Sequence, residues 1–317
     1  MMKDLISISE KLLGDCLNLK GGETFLVVTD RMKREIGAAL YQAGFNLGAE
    51  AMLLEMKTRT RNGEEPPLPV AEAMISSKVV VCPTQYSLTH TQARKRAVEK
   101  GVRVATMPGI TEDMFGQGAI TADYREVEEL TNKMTDILTR GKEVRIVKEG
   151  RELRFSIAGR KGIASTGIYR EPGQSGNLPS GEAYIAPLEG TAEGKILVDG
   201  SMVGIGLLKD PLEITISAGK LTRVEGRRAK DFLTSLGASE PARNVAEFGI
   251  GTNRKARLTG IILEDEKIYG TVHVAFGDNS TFGGSVQAGI HLDGVILKPD
   301  VYVDDAKIMD QGEIINP

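Results

Sequence analysis

Leu5, Ile6, Leu12, Leu13, Cys16 and Leu17 recur at helical spacing through the first seventeen residues, separated by polar positions. That period predicts an amphipathic helix and lacks the unbroken apolar segment of a secretory leader. From about residue 20 to 140, short apolar runs alternate with helical periodicity, beginning with Phe25-Leu26-Val27-Val28-Thr29 and a helix after Asp30. Ala51-Met52-Leu53-Leu54, Val79-Val80-Val81-Cys82 and Val102-Arg103-Val104-Ala105-Thr106 are further strands of this kind, each followed by a turn signal or a helix. Apolar strands alternating with helices predict a parallel sheet. Val127, Leu130, Met134, Ile137 and Leu138 then make the stripe of one long helix, with Gly141 placed as its C-terminal cap. The expectation is an α/β domain over residues 1–140.

Beyond residue 140 the pattern changes to short strands such as Val144-Arg145-Ile146-Val147 and Leu153-Arg154-Phe155-Ser156-Ile157, punctuated by Gly, Asp-Gly and Pro. Residues 141–317 are therefore expected to form a β-rich α+β domain, and this is where a metal-binding catalytic centre is sought. The stretches 173–181 and 277–284 read as glycine-rich loops.

Composition adds exclusions. A formal charge of -3 over 317 residues offers no electrostatic footprint for nucleic acid, and the chain has no apolar run long enough to span a bilayer. The basic cluster Arg94-Lys95-Arg96 reads as a solvated helix face. Cys16 and Cys82 form no metal-ligand or disulfide pattern, which favours a reducing, cytoplasmic setting.

Candidate chemistry gathers in the second half. Of three histidines, His273 and His291 stand 18 residues apart in strand-like segments. His291 and Asp293 bracket one residue, and positions i and i+2 of a strand share a face, so imidazole and carboxylate converge. The isolated pair equally fits a surface contact or a core hydrogen bond. Glu182 opens the apolar strand Ala183-Tyr184-Ile185-Ala186, and Glu247 sits within Val245-Ala246-Glu247-Phe248-Gly249. A solvated face would accommodate either carboxylate, but flanks this apolar imply burial, and a buried carboxylate needs compensation. Two imidazoles with several carboxylates and no thiolate suit a catalytic Zn²⁺, Co²⁺, Mn²⁺ or Fe²⁺.

Asn177-Leu178-Pro179-Ser180-Gly181-Glu182, Ala246-Glu247-Phe248-Gly249, Asp265-Glu266-Lys267, Thr271-Val272-His273-Val274-Ala275-Phe276-Gly277 and His291-Leu292-Asp293 together resemble the M29 aminopeptidases, the thermophilic aminopeptidase T group. The resemblance covers most of the second domain in order; the first shares only α/β texture. It implies a cytoplasmic homodimer with two divalent ions (Zn, Co or Mn) held by Glu182, Glu247, Glu266, His273, His291 and Asp293. Glu247 would bridge the ions, and Glu266 or Glu182 would carry the catalytic proton. Asp265 or Glu264 are alternatives to Glu266, because the family's glutamate lies nearer the first histidine. The peptidases carry a tyrosine seven positions after that histidine, where this chain has Ser280.

The expected function is a metal-dependent aminopeptidase that releases N-terminal residues from peptides by a metal-activated water. The same fold family also resembles iron-dependent dioxygenases that open dihydroxypyridine rings, in which His273, His291 and Asp293 would hold a single Fe(II). A third reading is a non-catalytic small-ligand binder using the N-terminal sheet, although no Gly-x-Gly-x-x-Gly follows its strands. His90, in Ser87-Leu88-Thr89-His90-Thr91, reads as a helix-capping or surface residue.

Overall fold

The computed structural model describes residues 2–315. It contains two compact units, one built from the chain through Tyr124 with Gly167–Ser180, the other from Arg125–Thr166 with the chain from Gly181 onward.

In the first unit the expected apolar runs form a parallel sheet in the order Glu50–Met56, Thr24–Asp30, Val79–Thr84, Arg103–Pro108, Ser175–Asn177. Helices Met2–Asp15, Arg34–Asn46, Leu68–Ile75 and Gln92–Glu99 connect or precede its strands. One cluster of its core joins Leu26, Val28, Val80, Cys82 and Val104 of the strands to Met74 and Ala97 of the helices. Two expectations change here. Ser175–Asn177, inside a stretch read as a loop, pairs with Arg103–Pro108, and the Asn177 side-chain oxygen accepts from Thr106 Oγ1 at 2.8 Å. Arg94 is not simply solvated: its guanidinium donates to the Thr89 carbonyl at 2.7 Å and Ser175 Oγ at 3.1 Å. Of the two roles open to His90 the surface one holds: it is exposed, and Thr91 caps the helix, accepting from the Arg94 amide.

The second unit carries two antiparallel sheets. The eight-stranded one runs Lys220–Glu225, Leu212–Ser217, Glu193–Val198, Arg151–Ser156, Glu143–Lys148, Asp300–Val303, Ala306–Asp310, Glu313–Ile314. The seven-stranded one runs Gly206–Leu207, Ser201–Met202, His291–Leu297, Thr271–Gly277, Val245–Gly251, Glu182–Ile185, Ile163–Ser165. Side chains from both, with Met134 and Leu138 of the helix Tyr124–Arg140, make a single apolar core. Phe155 of the first sheet meets Phe248 of the second with ring centroids 5.5 Å apart. Gly141 is not a left-handed cap: it is absent from the positive-φ glycines, and a Cβ on it would stand 2.3 Å from Val303 Cγ1. Close packing, not chain reversal, requires glycine there. No helix among the described residues is long and apolar enough to cross a membrane.

Candidate metal centre

Strand alternation sorts the seven-stranded sheet into two chemically opposite faces. Phe248, Ile250, Val272, Val274, Phe276, Leu292 and Ile296 point into the core. Register puts the complementary positions together on the other face: Glu247 opposite Ala275, Gly249 opposite His273 and Tyr184, Gly251 opposite Glu182, Asp293 opposite Ala275, and His291 opposite Gly277. Five of the six expected site residues, Glu182, Glu247, His273, His291 and Asp293, therefore share one face across four adjacent strands. Glu266 reaches the same place from the C-terminal end of the short helix Ile262–Asp265. Glycine at 249 makes room for the His273 ring, since a Cβ there would lie only 2.1 Å from His273 Nε2.

The donors converge closely. His273 Nε2 is 3.2 Å from Glu247 Oε1 and 3.5 Å from Glu182 Oε2. His291 Nε2 is 3.4 Å from Glu247 Oε2 and 3.3 Å from Asp293 Oδ1. Its other ring nitrogen, Nδ1, lies 2.8 Å from the Asp278 carbonyl, a contact that protonates Nδ1 and turns Nε2 toward the carboxylates. His273 is fully buried, whereas the His291 side chain stays 30% exposed and gives the cluster a solvent-facing edge.

Among the described residues, two groups could hold an ion: Glu247, His273 and Asp293, and Glu182, Glu266 and His273, each with ligand atoms within 4.8 Å of one another. Lys267, which no sequence pattern singles out, distinguishes them. Fully buried, its Nζ is 2.5 Å from Glu182 Oε1 and also bonds Glu266 Oε1. An ammonium already compensates that second group, while the first has only imidazoles to offset its carboxylates. The alternatives to Glu266 are committed elsewhere: Asp265 accepts from the Thr259 and Gly260 amides, and Glu264 from the Arg257 amide.

Charge is the reason a metal fits. Four carboxylates face one ammonium and two imidazoles in a largely buried space, so protons or a cation must make up the difference. Burial opposes ionisation of Glu247, but the His273 and His291 contacts outweigh it and lower its carboxyl to about 2. Burial likewise disfavours charge on His273, yet Glu247 and Glu182 raise it to about 9; His291 is raised by Asp293 and Glu247 against the same penalty. Burial raises Glu266 to about 8 despite the opposing pull of Lys267. A site that binds protons this avidly at imidazole and carboxylate is the kind a divalent ion takes over.

Two further neighbours, Tyr184 and Phe282, escape sequence reasoning besides Lys267. Tyr184 lies two residues beyond Glu182 on the same strand face, a relation the sequence does contain. Phe282, in the segment between the two histidine strands, packs edge-on against His291 with centroids 5.7 Å apart. Ser280, at the position of the peptidase tyrosine, instead turns its amide and hydroxyl to Asp278 Oδ1, at 3.0 and 2.8 Å.

A family model described as NicX, 2,5-dihydroxypyridine 5,6-dioxygenase, matches residues 4–316. The curated 2,5-dihydroxypyridine 5,6-dioxygenase of Pseudomonas putida is 24% identical over 189 residues, 54% of this chain, so the match spans 53% of that relative's length. The structure of the 2,5-dihydroxypyridine dioxygenase from Pseudomonas putida KT2440 superposes with a TM-score of 0.82 at 17% identity, covering 100% of this chain and 98% of that one. AmpT from Thermus thermophilus superposes with a TM-score of 0.73 at 17% identity, covering 99% of both chains. At these identities the two structures carry the fold alone. The expectation of a metallo-aminopeptidase, a hydrolase of peptides, is overturned by the family match along nearly the whole chain, and that match gives no support to two Zn, Co or Mn ions. The motifs behind it encode a scaffold and a ligand set, and neither specifies whether water or dioxygen is the second reactant.

Proposed function

Because the chain belongs to the 2,5-dihydroxypyridine 5,6-dioxygenase family, we propose that it is a mononuclear iron enzyme that opens the ring of a dihydroxypyridine-like substrate with dioxygen. The observation that carries this reading is His273, His291 and Asp293 on one face of two paired strands; His273 and Asp293 also converge with Glu247, and His291 Nε2 adjoins both Asp293 and Glu247. Two histidines and one carboxylate are the donor set of non-haem Fe(II) oxygenases, and they leave positions free for substrate and O₂. A ferrous ion held there supplies, when bound, the one-electron chemistry that lets O₂ react with an aromatic ring.

The protein's own groups prepare the site. The Asp278 carbonyl fixes the His291 tautomer, and Glu247 meets His273 Nε2 with one oxygen and His291 Nε2 with the other, holding both rings against one carboxylate. Lys267 offsets the paired charge of Glu182 and Glu266, which supports one ion rather than two. Glu266, whose carboxyl burial raises above the ordinary carboxylate range, stands beside these groups and bonds Lys267, a place from which it can give or take a proton as a ring hydroxyl is engaged. Both oxygen atoms enter the product as one ring carbon–carbon bond breaks, so no other oxidant is consumed.

The test is anaerobic loading with Fe(II), followed by 2,5-dihydroxypyridine and air. We expect one iron per chain, one O₂ consumed per ring, and a product heavier by two oxygen atoms. His291→Ala should lose both iron and turnover. Wild-type protein that holds iron but takes up no oxygen with the dihydroxypyridine would sink the reading.

A further inference from the structure

Phe282 occupies the tip of the segment that joins the two histidine strands, and the segment is built to hold it there. Asn279, fully buried, is its internal anchor: its side-chain oxygen accepts from the Val286 amide at 2.9 Å, and its backbone carbonyl accepts from the Phe282 and Gly284 amides at 3.3 and 3.0 Å. A Cβ at Gly284 would fall 1.9 Å from Asn279 Cγ, so only glycine lets the chain close around this side chain. From outside, Glu189 Oε1 accepts from Asn279 Nδ2 at 3.1 Å and the Ser285 amide at 2.8 Å, while its other oxygen pairs with Arg160. The segment is thus fastened at its middle to a residue far from it in sequence.

The ring so held touches two others. Phe282 lies edge-to-face with His291 at 5.7 Å and 84°, and with Tyr184 at 5.7 Å and 75°. Tyr184 stands on the same sheet face as Glu182 and the other proposed ligands. Phe282 and Tyr184 are both half-buried, so each retains accessible ring surface. Aromatic edges and faces favour stacked or edge-on contact with another flat ring over contact with an aliphatic chain.

Resting on the ring-cleaving reading above, we propose that Phe282 and Tyr184 are specificity-determining residues, an aromatic wall beside His291 against which a planar heteroaromatic substrate lies, with Glu189 as the positioning residue that keeps Phe282 in place. The substrate class is a single flat ring bearing hydroxyl groups. The wall orients the ring relative to the metal ligands without supplying a ligand itself.

The experiment measures binding and turnover separately. Redox-inert Zn²⁺-loaded protein is titrated calorimetrically with 2,5-dihydroxypyridine under argon, and Fe(II)-loaded protein is assayed for oxygen uptake. Phe282→Leu, which keeps apolar bulk and removes the ring, should weaken binding and raise KM by ~2- to 12-fold, the range an aromatic pair contributes, with metal content unchanged. Phe282→Tyr should restore binding. Glu189→Ala should reproduce the Phe282→Leu defect, and Glu189→Gln, which keeps an acceptor for Asn279 and Ser285, should lessen it. Wild-type affinity and KM in Phe282→Leu would overturn the wall alone. Ring binding that depends on Phe282 but brings no oxygen uptake would support the wall and overturn ring cleavage. If no ring binds to wild type, both fall.

Discussion

Gly249 shows how a residue without a side chain shapes the chemistry of the site. His273 lies across the neighbouring strand at the place where a Cβ of residue 249 would stand, 2.1 Å from Nε2. The contact is with a ring fixed by its strand and by Glu247, so it cannot be relieved by rotating a flexible tip. Gly249→Ala should push the imidazole off its present line to Glu247, costing about 1–3 kcal/mol of stability by overpacking. Metal content should fall with it. Thermal melts with metal analysis on the same sample check this, and an alanine variant with normal metal content would refute it. Lys267 makes the complementary point: adjacent in sequence to Glu266, it is read easily as a surface lysine, and only its contact with Glu182, 85 residues earlier, reveals it as an internal counter-charge.

Among the elements, the hairpin Thr271–Gly277 and His291–Leu297 contributes both histidines and Asp293, and pairing with Val245–Gly251 adds Glu247. Period-two alternation alone makes the His291–Asp293 convergence legible. It cannot show that Gly277 pairs with His291, because register between strands depends on the intervening segment. The helix Tyr124–Arg140 gives a second case. Its apolar stripe is readable, but the role of Gly141 is not, since Val303 arrives there from 162 residues later. Gly141→Ala should therefore lower stability by about 1–3 kcal/mol through overpacking, and not by loss of a left-handed cap. A melting temperature equal to wild type would contradict the packing role.

At the scale of the whole molecule, the carboxylate–imidazole cluster couples pH to stability when no metal is bound. His273, raised to about 9, contributes stability that is full below its ordinary 6.5 and lost as pH climbs through 9. Glu266, raised from 4.5 to about 8, acts in the same direction, because the folded site disfavours its ionisation as pH rises across that interval. Glu247, lowered to about 2, contributes above 4.5 and loses this as pH falls toward 2. Chelator-treated protein should thus be most stable near pH 4.5, weaken above it as Glu266 opposes ionisation, and weaken more steeply from about pH 6.5 toward 9 as His273 joins. A divalent ion that takes the place of the protons should remove most of the alkaline decline. Denaturant midpoints across pH, with and without metal, test this; an apo profile flat from pH 6 to 9 would refute it.

Hydrophobic periodicity by itself determined the parallel α/β sheet and the change to β-rich structure beyond residue 140, and the order of residues placed imidazole and carboxylate in that later half. These are local properties, since burial preference repeats at 2.0 or 3.6 residues wherever a strand or helix forms. Tertiary structure decided the rest: that Glu182 and Glu266 enclose an ammonium, that Ser175–Asn177 joins the first sheet, and that Phe282 rests on Tyr184. Each depends on residues far apart in sequence meeting at one place, and the hydrophobic pattern, which records only whether a position is buried, carries no information about which partner it is buried against.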